Sequence, residues 1–414
     1  MPINLTIPTT FEDSYLEQLD TLNGASARAG KRRVAEIYGA YQTSILGSAR
    51  PSKYLPRPTQ KQFRAHVRKA HSYGIDFSYA ANSPCLGNIE YTAKGRRQIV
   101  DFLDQIADAG IDSIVVTIPL LIEIIRERHP HLPIVASSLC YISDIQLATR
   151  FQDMGVKRIV LDPDINRDLT LLKKFRASLQ VDLEVIANHT CLISCHLENC
   201  HYNNTGHGSQ RTPERREMIY SQYNLLRCTL EKLRNPGEFL ASPWYAPKDL
   251  VHLEETGVQW AKLAGRGSTA EHLLALAAAY LNGRCSGNLL KLLWWPHHLA
   301  FRKTADGTAL DVLDISLEEA GLDGFIDFFR KHFPCRSGCE NCRYCHRKAT
   351  GVLRYDKDLL QAYIANMERV LHGLLTDDVS EPDYRRQVKT WQACAKACRV
   401  PEPERAGARC RNVS

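Results

Sequence analysis

Nine short runs of aliphatic and β-branched residues, with amphipathic segments between them, constrain this fold more than any other feature. They are Ile3 to Ile7, Val34 to Tyr38, Ile75 to Ala80, Ser113 to Ile118, Pro133 to Ser138, Arg158 to Asp162, Leu183 to Ala187, Glu238 to Ser242 and Trp260 to Ala264. The segment before Ser113 shows the helical pattern: Ile99, Phe102, Leu103 and Ile106 fall on one face and Gly110 stands just past the end. Strand and helix in strict alternation is the mark of βαβ units and a parallel sheet. No Gly-rich dinucleotide fingerprint follows any run, so a closed barrel is expected over a doubly wound sheet, with one of the nine runs outside it. The fold class expected is α/β: a (β/α)8 TIM-like barrel over residues 1–295, then a mainly helical, cysteine-rich extension over 296–414. In the extension, helices are expected near Leu317 to Phe329 and from Asp358 to Leu375.

One interruption of the rhythm is informative. Between Asn188 and Phe239 runs a polar, turn-rich stretch, NHTCLISCHLENCHYNNTGHGSQ, followed by a helical segment from Glu214 to Arg234. A long excursion after a barrel strand opens on the face where such barrels place their chemistry.

The excursion, over 188–230, also carries the first of two cysteine groups, and the chain has 14 cysteines in all. Cys191, Cys195 and Cys200 lie within ten residues, and Cys228 closes the same excursion. Clustered thiols borne on a loop point to a metal, because soft sulfur ligands select iron–sulfur clusters or zinc. Cys228 is the nearest fourth ligand, with His196, His201 and His207 as alternatives. The second group, Cys335, Cys339, Cys342 and Cys345, packs four thiols into eleven residues. Zinc usually pairs two Cys-x2-Cys knuckles across a longer spacer, so this single dense run favours a second cluster, with zinc as the alternative. Its first three members match the Cys-x3-Cys-x2-Cys run of radical S-adenosylmethionine enzymes. They lie beyond the barrel, however, and Asn341 stands where an aromatic residue is usual, so the match is read as accidental. Cys394, Cys398 and Cys410 close the chain without an assigned role.

Other residues matter by position. Strand ends carry Tyr79 and Asn82, Ser137 and Ser138, Asn188 and His189, and Lys262 with Arg266; Glu90 follows in a loop. In a closed barrel these converge on one mouth. Asn188, His189 and Glu90 are the candidate catalytic groups. Tyr79, Asn82, Ser138, Lys262 and Arg266 are the candidate substrate-binding groups, the last two as a clamp for an anion. No nucleophile elbow, Walker loop or HExxH is present. A net charge of +7 and the basic stretches at Lys31 to Arg33 and RPTQKQFRAHVRK permit RNA without favouring it, so a small or carrier-bound substrate is expected. No apolar run long enough to span a membrane exists, and acidic groups occupy the place of a secretory core, so a cytoplasmic protein is expected.

The runs DFSYAANSPCLGNIEYTAKG, PIVASSLCYISDIQLATRFQDMGVKRIVLDPDINRDL, EVIANHTCLISCHLENCHYNN and FLASPWYAPKDLVHLEETGVQWAKLAGR together resemble the peptidase U32, or collagenase-like, family, over roughly residues 70–290. The resemblance implies a barrel holding an oxygen-sensitive [4Fe-4S] cluster on four cysteines. Several members are oxygen-independent hydroxylases of transfer RNA, ribosomal RNA or the ubiquinone ring that use prephenate as oxygen donor, and some work as heteromers. Cys191 and Cys195 match the family's cysteine motif, and Lys262 and Arg266 its K-x-x-x-R segment. The implied function is an iron–sulfur oxygen-transfer enzyme with a prephenate-like donor. Its alternatives are a partner subunit of a heteromeric enzyme and a peptidase.

Overall fold

The computed structural model describes residues 2–28, 32–210, 223–293, 304, 306–333, 335 and 338–376. Eight parallel strands close into a barrel in sequence order: β1 (Asn4–Pro8), β2 (Arg33–Gly39), β3 (Asp76–Ala81), β4 (Ser113–Val116), β5 (Ile134–Ala136), β6 (Arg158–Val160), β7 (Asp182–Ile186) and β8 (Trp260–Lys262). Strand β8 pairs with β1 to seal the ring, Lys262 beside Thr6. The expected (β/α)8 architecture is therefore present. The helix ahead of β4 spans Ala93–Ala107, buries Ile99, Leu103 and Ile106, and is followed by Gly110 at φ +85°. That left-handed geometry suits glycine.

The ninth run is not a strand. Glu238–Ala241 is one helical turn with Phe239, Leu240 and Ala241 buried. A short, fully apolar run reads alike for a buried strand and a buried helical turn, so periodicity could not separate them. The excursion thus extends from Ile186 to Trp260 and holds the helices Glu198–Gly208 and Tyr223–Arg234. Of the helix expected from Glu214, residues 214–222 lie outside the described residues, as do the boundary at 295, Lys31, Cys394, Cys398 and Cys410. The single helix expected near Leu317 to Phe329 is two short pieces, Glu319–Leu322 and Asp327–Lys331, with Gly324 at φ +70° between them. The last expected helix is found at Lys357–Leu375. It packs on Tyr223–Arg234, where Arg234 meets Glu368 at 2.7 Å, so the extension braces the excursion. Among the described residues no helix is long and apolar enough to cross a membrane.

Inside the barrel a charged layer lies beneath an apolar one. Arg158 donates to Glu36 (Nη1 to Oε1, 3.2 Å), lies 3.7 Å from Glu184 and sits over the Trp260 ring at 3.9 Å; Lys262 completes the layer at 3.3 Å from Glu184. Burial drives both carboxyls upward. Arg158 only partly offsets this at Glu36, whereas Lys262 and Arg158 together hold Glu184 below the usual range. Above this layer Val115, Val135, Val160 and Ile186 form an apolar plug, which is the floor of the mouth.

Burial moves a histidine the other way, as at His66, buried and bonded to the Thr9 hydroxyl at 2.6 Å. Burial pulls its pKa down to about 4. Between pH 6.5 and 4 the unfolded chain therefore binds the proton and the folded chain does not, so stability falls as pH drops through that window, by up to about 3 kcal/mol. His66→Gln has no such titration. Urea midpoints should show wild type losing ground to the variant between pH 7 and pH 4.5; a constant gap contradicts the assignment.

Candidate active site at the barrel mouth

The C-terminal ends of the strands open on a cavity of about 250 Å³, floored by Val115 and Ile186 of the plug. Side-chain parity decides which strand-end residues reach it. On β3, Ala80 and Asn82 face the cavity. Tyr79, one residue out of step, is not among its lining residues: its ring packs with Tyr41, Phe63 and Phe102 at centroid distances of 5.9–6.1 Å. On β7 the inward series continues to Asn188, and on β8 it runs through Lys262 to Ala264 and Arg266.

Of the expected site residues, the cavity brings together Asn82, Ser138, Asn188, His189, Lys262, Arg266, Cys191, Cys195 and Cys228. It does not include Tyr79, Glu90 or Cys200. Glu90 is buried in the short 3-10 turn Ile89–Tyr91, and Cys200 is exposed on the helix Glu198–Gly208. Asn188, expected as a catalytic group, is a clamp: its amide nitrogen donates to the Ala264 carbonyl (2.8 Å) and its oxygen accepts from the Ala264 amide (2.6 Å). This pair of bonds holds the β7 and β8 ends together.

One side of the cavity is a thiol wall. Cys191 and Cys195 come from the loop after β7 and Cys228 from the helix Tyr223–Arg234, and Cys228 lies in Coulombic range of both. Four residues further along that helix, hence on the same face, Lys232 is fully buried. Its ammonium contacts the Ser242 hydroxyl, which donates to the Thr190 carbonyl at 3.1 Å. Burial lowers the Lys232 pKa, and the neighbours opposing this are Cys228 first, then Cys191. Burial in turn raises all three thiols, Cys228 to about 12. Among the described residues, no three His, Cys, Asp or Glu side chains converge closely enough to hold an ion as they stand. The donor set still suits a soft metal centre: three sulfurs on one wall, a cation behind them, and Glu198 and His201 alongside. Burial pushes the Glu198 carboxyl up to about 7 and the His201 imidazole down to about 4, so neutral forms are favoured on this wall.

The cavity also carries cations. Arg266 is enclosed, with its guanidinium 5.8 Å from the Tyr38 ring centre and its Nη1 buried without a hydrogen-bond partner among the described residues. Burial lowers its pKa to about 10. The acids a purely structural role would recruit lie elsewhere: Glu255 pairs with Arg330 at 3.2 Å, and Asp162 caps the turn at Asp164. Arg50 joins Arg266 on the cavity wall, and no carboxylate among the described residues pairs with either. Lys262 is partly committed, since it pairs with Glu184 and lies 4.1 Å over the Tyr38 ring.

Sequence reasoning missed Arg50, Tyr38, Glu198, Tyr202 and Lys232. Arg50 sits in a loop without periodicity. The spacing of Lys232 to Cys228, one helical turn, was a readable signal.

The second cysteine group lies away from the cavity. Cys339–Cys342 forms a single helical turn, Arg343 is left-handed at φ +50°, and Cys345 lies in the first turn of the helix Tyr344–Val352.

Residues 52–283 match the model of peptidase family U32. A protein of Methanocaldococcus jannaschii described as an uncharacterized protease is 25% identical over 325 residues, covering 78% of this chain and 90% of the relative. The tRNA hydroxylation protein P of Helicobacter pylori is 25% identical over 173 residues, 41% of this chain and 39% of that protein. Among solved structures, the U32 peptidase Mk0906 aligns with a TM-score of 0.47 and 19% identity, over 64% of this chain and 93% of that one. With the family match spanning more than half its length, this chain belongs to peptidase family U32.

Proposed function

We propose that the chain is an iron–sulfur-dependent, oxygen-independent hydroxylase that takes oxygen from an anionic donor and passes it to a small or carrier-bound substrate. One observation carries this reading: three thiols and two guanidinium groups without a carboxylate partner among the described residues line a single cavity. Cys191, Cys195 and Cys228 would hold the cluster, and Glu198 and His201 line the same cavity. When bound, such a cluster supplies a Lewis-acidic, redox-active iron next to the donor. The chain's own residues do the rest. Lys232 offsets the charge of the thiolates from behind. Arg266 and Arg50 bind the donor's carboxylates, for which prephenate is the candidate, in a pocket whose apolar floor keeps water scarce. Asn188 fixes the spacing of the two strand ends that carry the thiols and Arg266.

The name of the Helicobacter relative supports a hydroxylation role. A thiol peptidase would need a cysteine whose thiolate is favoured, whereas burial raises Cys191, Cys195 and Cys228. The test is anaerobic reconstitution followed by iron, sulfide and prephenate-binding measurements. Protein that takes up no cluster in the cavity and binds no prephenate removes the reading.

A further inference from the structure

Arg167 is a buried cation that the barrel-mouth chemistry does not use. It lies in the loop after β6, is 2% exposed, and donates only to neutral carbonyls: Nε and Nη2 to Trp244 (3.1 and 2.6 Å) and Nη1 to Leu240 (2.8 Å). The rings of Trp244, Phe325 and Phe329 surround it, each 5.1 Å from Cζ. Among the described residues it forms no ion pair with a carboxylate. A guanidinium taken out of water with only carbonyl and ring partners leaves a charge that the fold must balance elsewhere.

Members of the second cysteine group lie within Coulombic reach of it. Burial depresses the Arg167 pKa, and the groups opposing that are Cys345 first, then Tyr245, Cys335 and the carboxyl of Asp249. Cys345 in turn lies within Coulombic reach of Cys335, Cys339 and Cys342. The docking of this segment is built, not incidental. Tyr344 stacks on Phe328 at 3.9 Å and donates to the Phe325 carbonyl at 3.1 Å, so it shares the ring cluster that encloses Arg167. His346 lies 3.2 Å from Glu238, and a Cβ on Gly237 would come within 2.1 Å of the His346 ring.

We propose that Cys335, Cys339, Cys342 and Cys345 form a second metal centre, a tetrathiolate site whose negative charge is balanced by the buried Arg167. Four thiolates around Zn²⁺ or around a [4Fe-4S]²⁺ core both carry about −2, so the guanidinium suits either. Metal binding deprotonates the thiols and draws the four sulfurs to one point, setting a compact anion beside a buried cation that forms no ion pair among the described residues. The site uses no residue of the barrel-mouth cavity and stands apart from the proposed hydroxylase reading.

The test uses the full chain, prepared anaerobically, with iron, sulfide and zinc counted per chain. Cys339→Ser/Cys342→Ser should lose either one zinc or one cluster's iron and sulfide, with the identity of the lost metal naming the centre, while metal sensitive to Cys191→Ala stays. Arg167→Met keeps the packing against the rings and removes the charge. It should release the second centre's metal to a chelator at least tenfold faster, and Arg167→Lys should restore part of the retention. If the double cysteine variant holds as much metal as wild type, there is no second centre. If Arg167→Met retains its metal as tightly as wild type while folded by circular dichroism, the charge-balance role is wrong.

Discussion

Replacing Cys228 by alanine should abolish the cavity's cluster, taking roughly four iron atoms per chain with it, whereas Cys200→Ala should leave most of that iron in place. The two residues look alike in sequence, since both belong to the excursion between β7 and β8. The fold separates them. Cys228 lines the cavity within Coulombic reach of Cys191 and Cys195, with Lys232 one helical turn further along its helix, while Cys200 is exposed on the neighbouring helix. A thiolate held next to a buried ammonium is stabilised where an isolated buried thiolate is not. Loss of the sulfur from this wall therefore removes both a ligand and the first of the groups that favour the charged form of Lys232. Iron analysis of anaerobically reconstituted variants checks this. Equal loss from both would return Cys200 to the ligand set, and no loss from Cys228→Ala would remove the cavity site.

The second large effect is expected at Arg266. A charge-assisted hydrogen bond to a carboxylate contributes roughly 1.5–3 kcal/mol, so Arg266→Gln should weaken prephenate binding by about ten- to a hundredfold. The same substitution should leave the stability of the donor-free protein unchanged or slightly raised. The reason is that Arg266 is enclosed with Nη1 unpartnered, and the neutral amide escapes that desolvation penalty. Calorimetric binding and denaturant unfolding on the same preparation test both halves. Lost stability with unchanged donor affinity would make Arg266 a structural residue.

How far the sequence carried each inference depended on what kind of pattern held the information. The barrel was legible because its strands are buried on both faces and read as aliphatic runs separated by helices, and all eight fall where those runs lie. The same signal misread Glu238 to Ser242, whose buried Phe239, Leu240 and Ala241 belong to a helical turn. Strand ends located Asn82, Ser138, Lys262 and Arg266 at the mouth without contact information, because parallel barrels point those ends one way. Parity was harder. Tyr79 and Asn82 are three residues apart on one strand end, and only the register decides that Asn82 turns inward and Tyr79 toward the helical layer. Glu90 and Arg50 lie in loops, where spacing says nothing about direction; one proved remote from the cavity and the other part of it. At Asn188 the structure adds a role that sequence position alone does not show. A polar residue at a strand end serves equally well to pin two strands together, and here both of its amide bonds go to Ala264.

The central claim is that cluster and anionic donor share one cavity, and the most direct measurement is an anaerobic titration of the reconstituted protein with prephenate, followed by visible absorption and by the electron paramagnetic resonance of the reduced cluster. Carried out in the Cys339→Ser/Cys342→Ser variant, only the cavity centre reports. The account predicts a saturable spectral change whose midpoint moves about ten- to a hundredfold higher in Arg266→Gln. Spectra that stay unchanged at saturating prephenate, or a midpoint indifferent to Arg266, would contradict it.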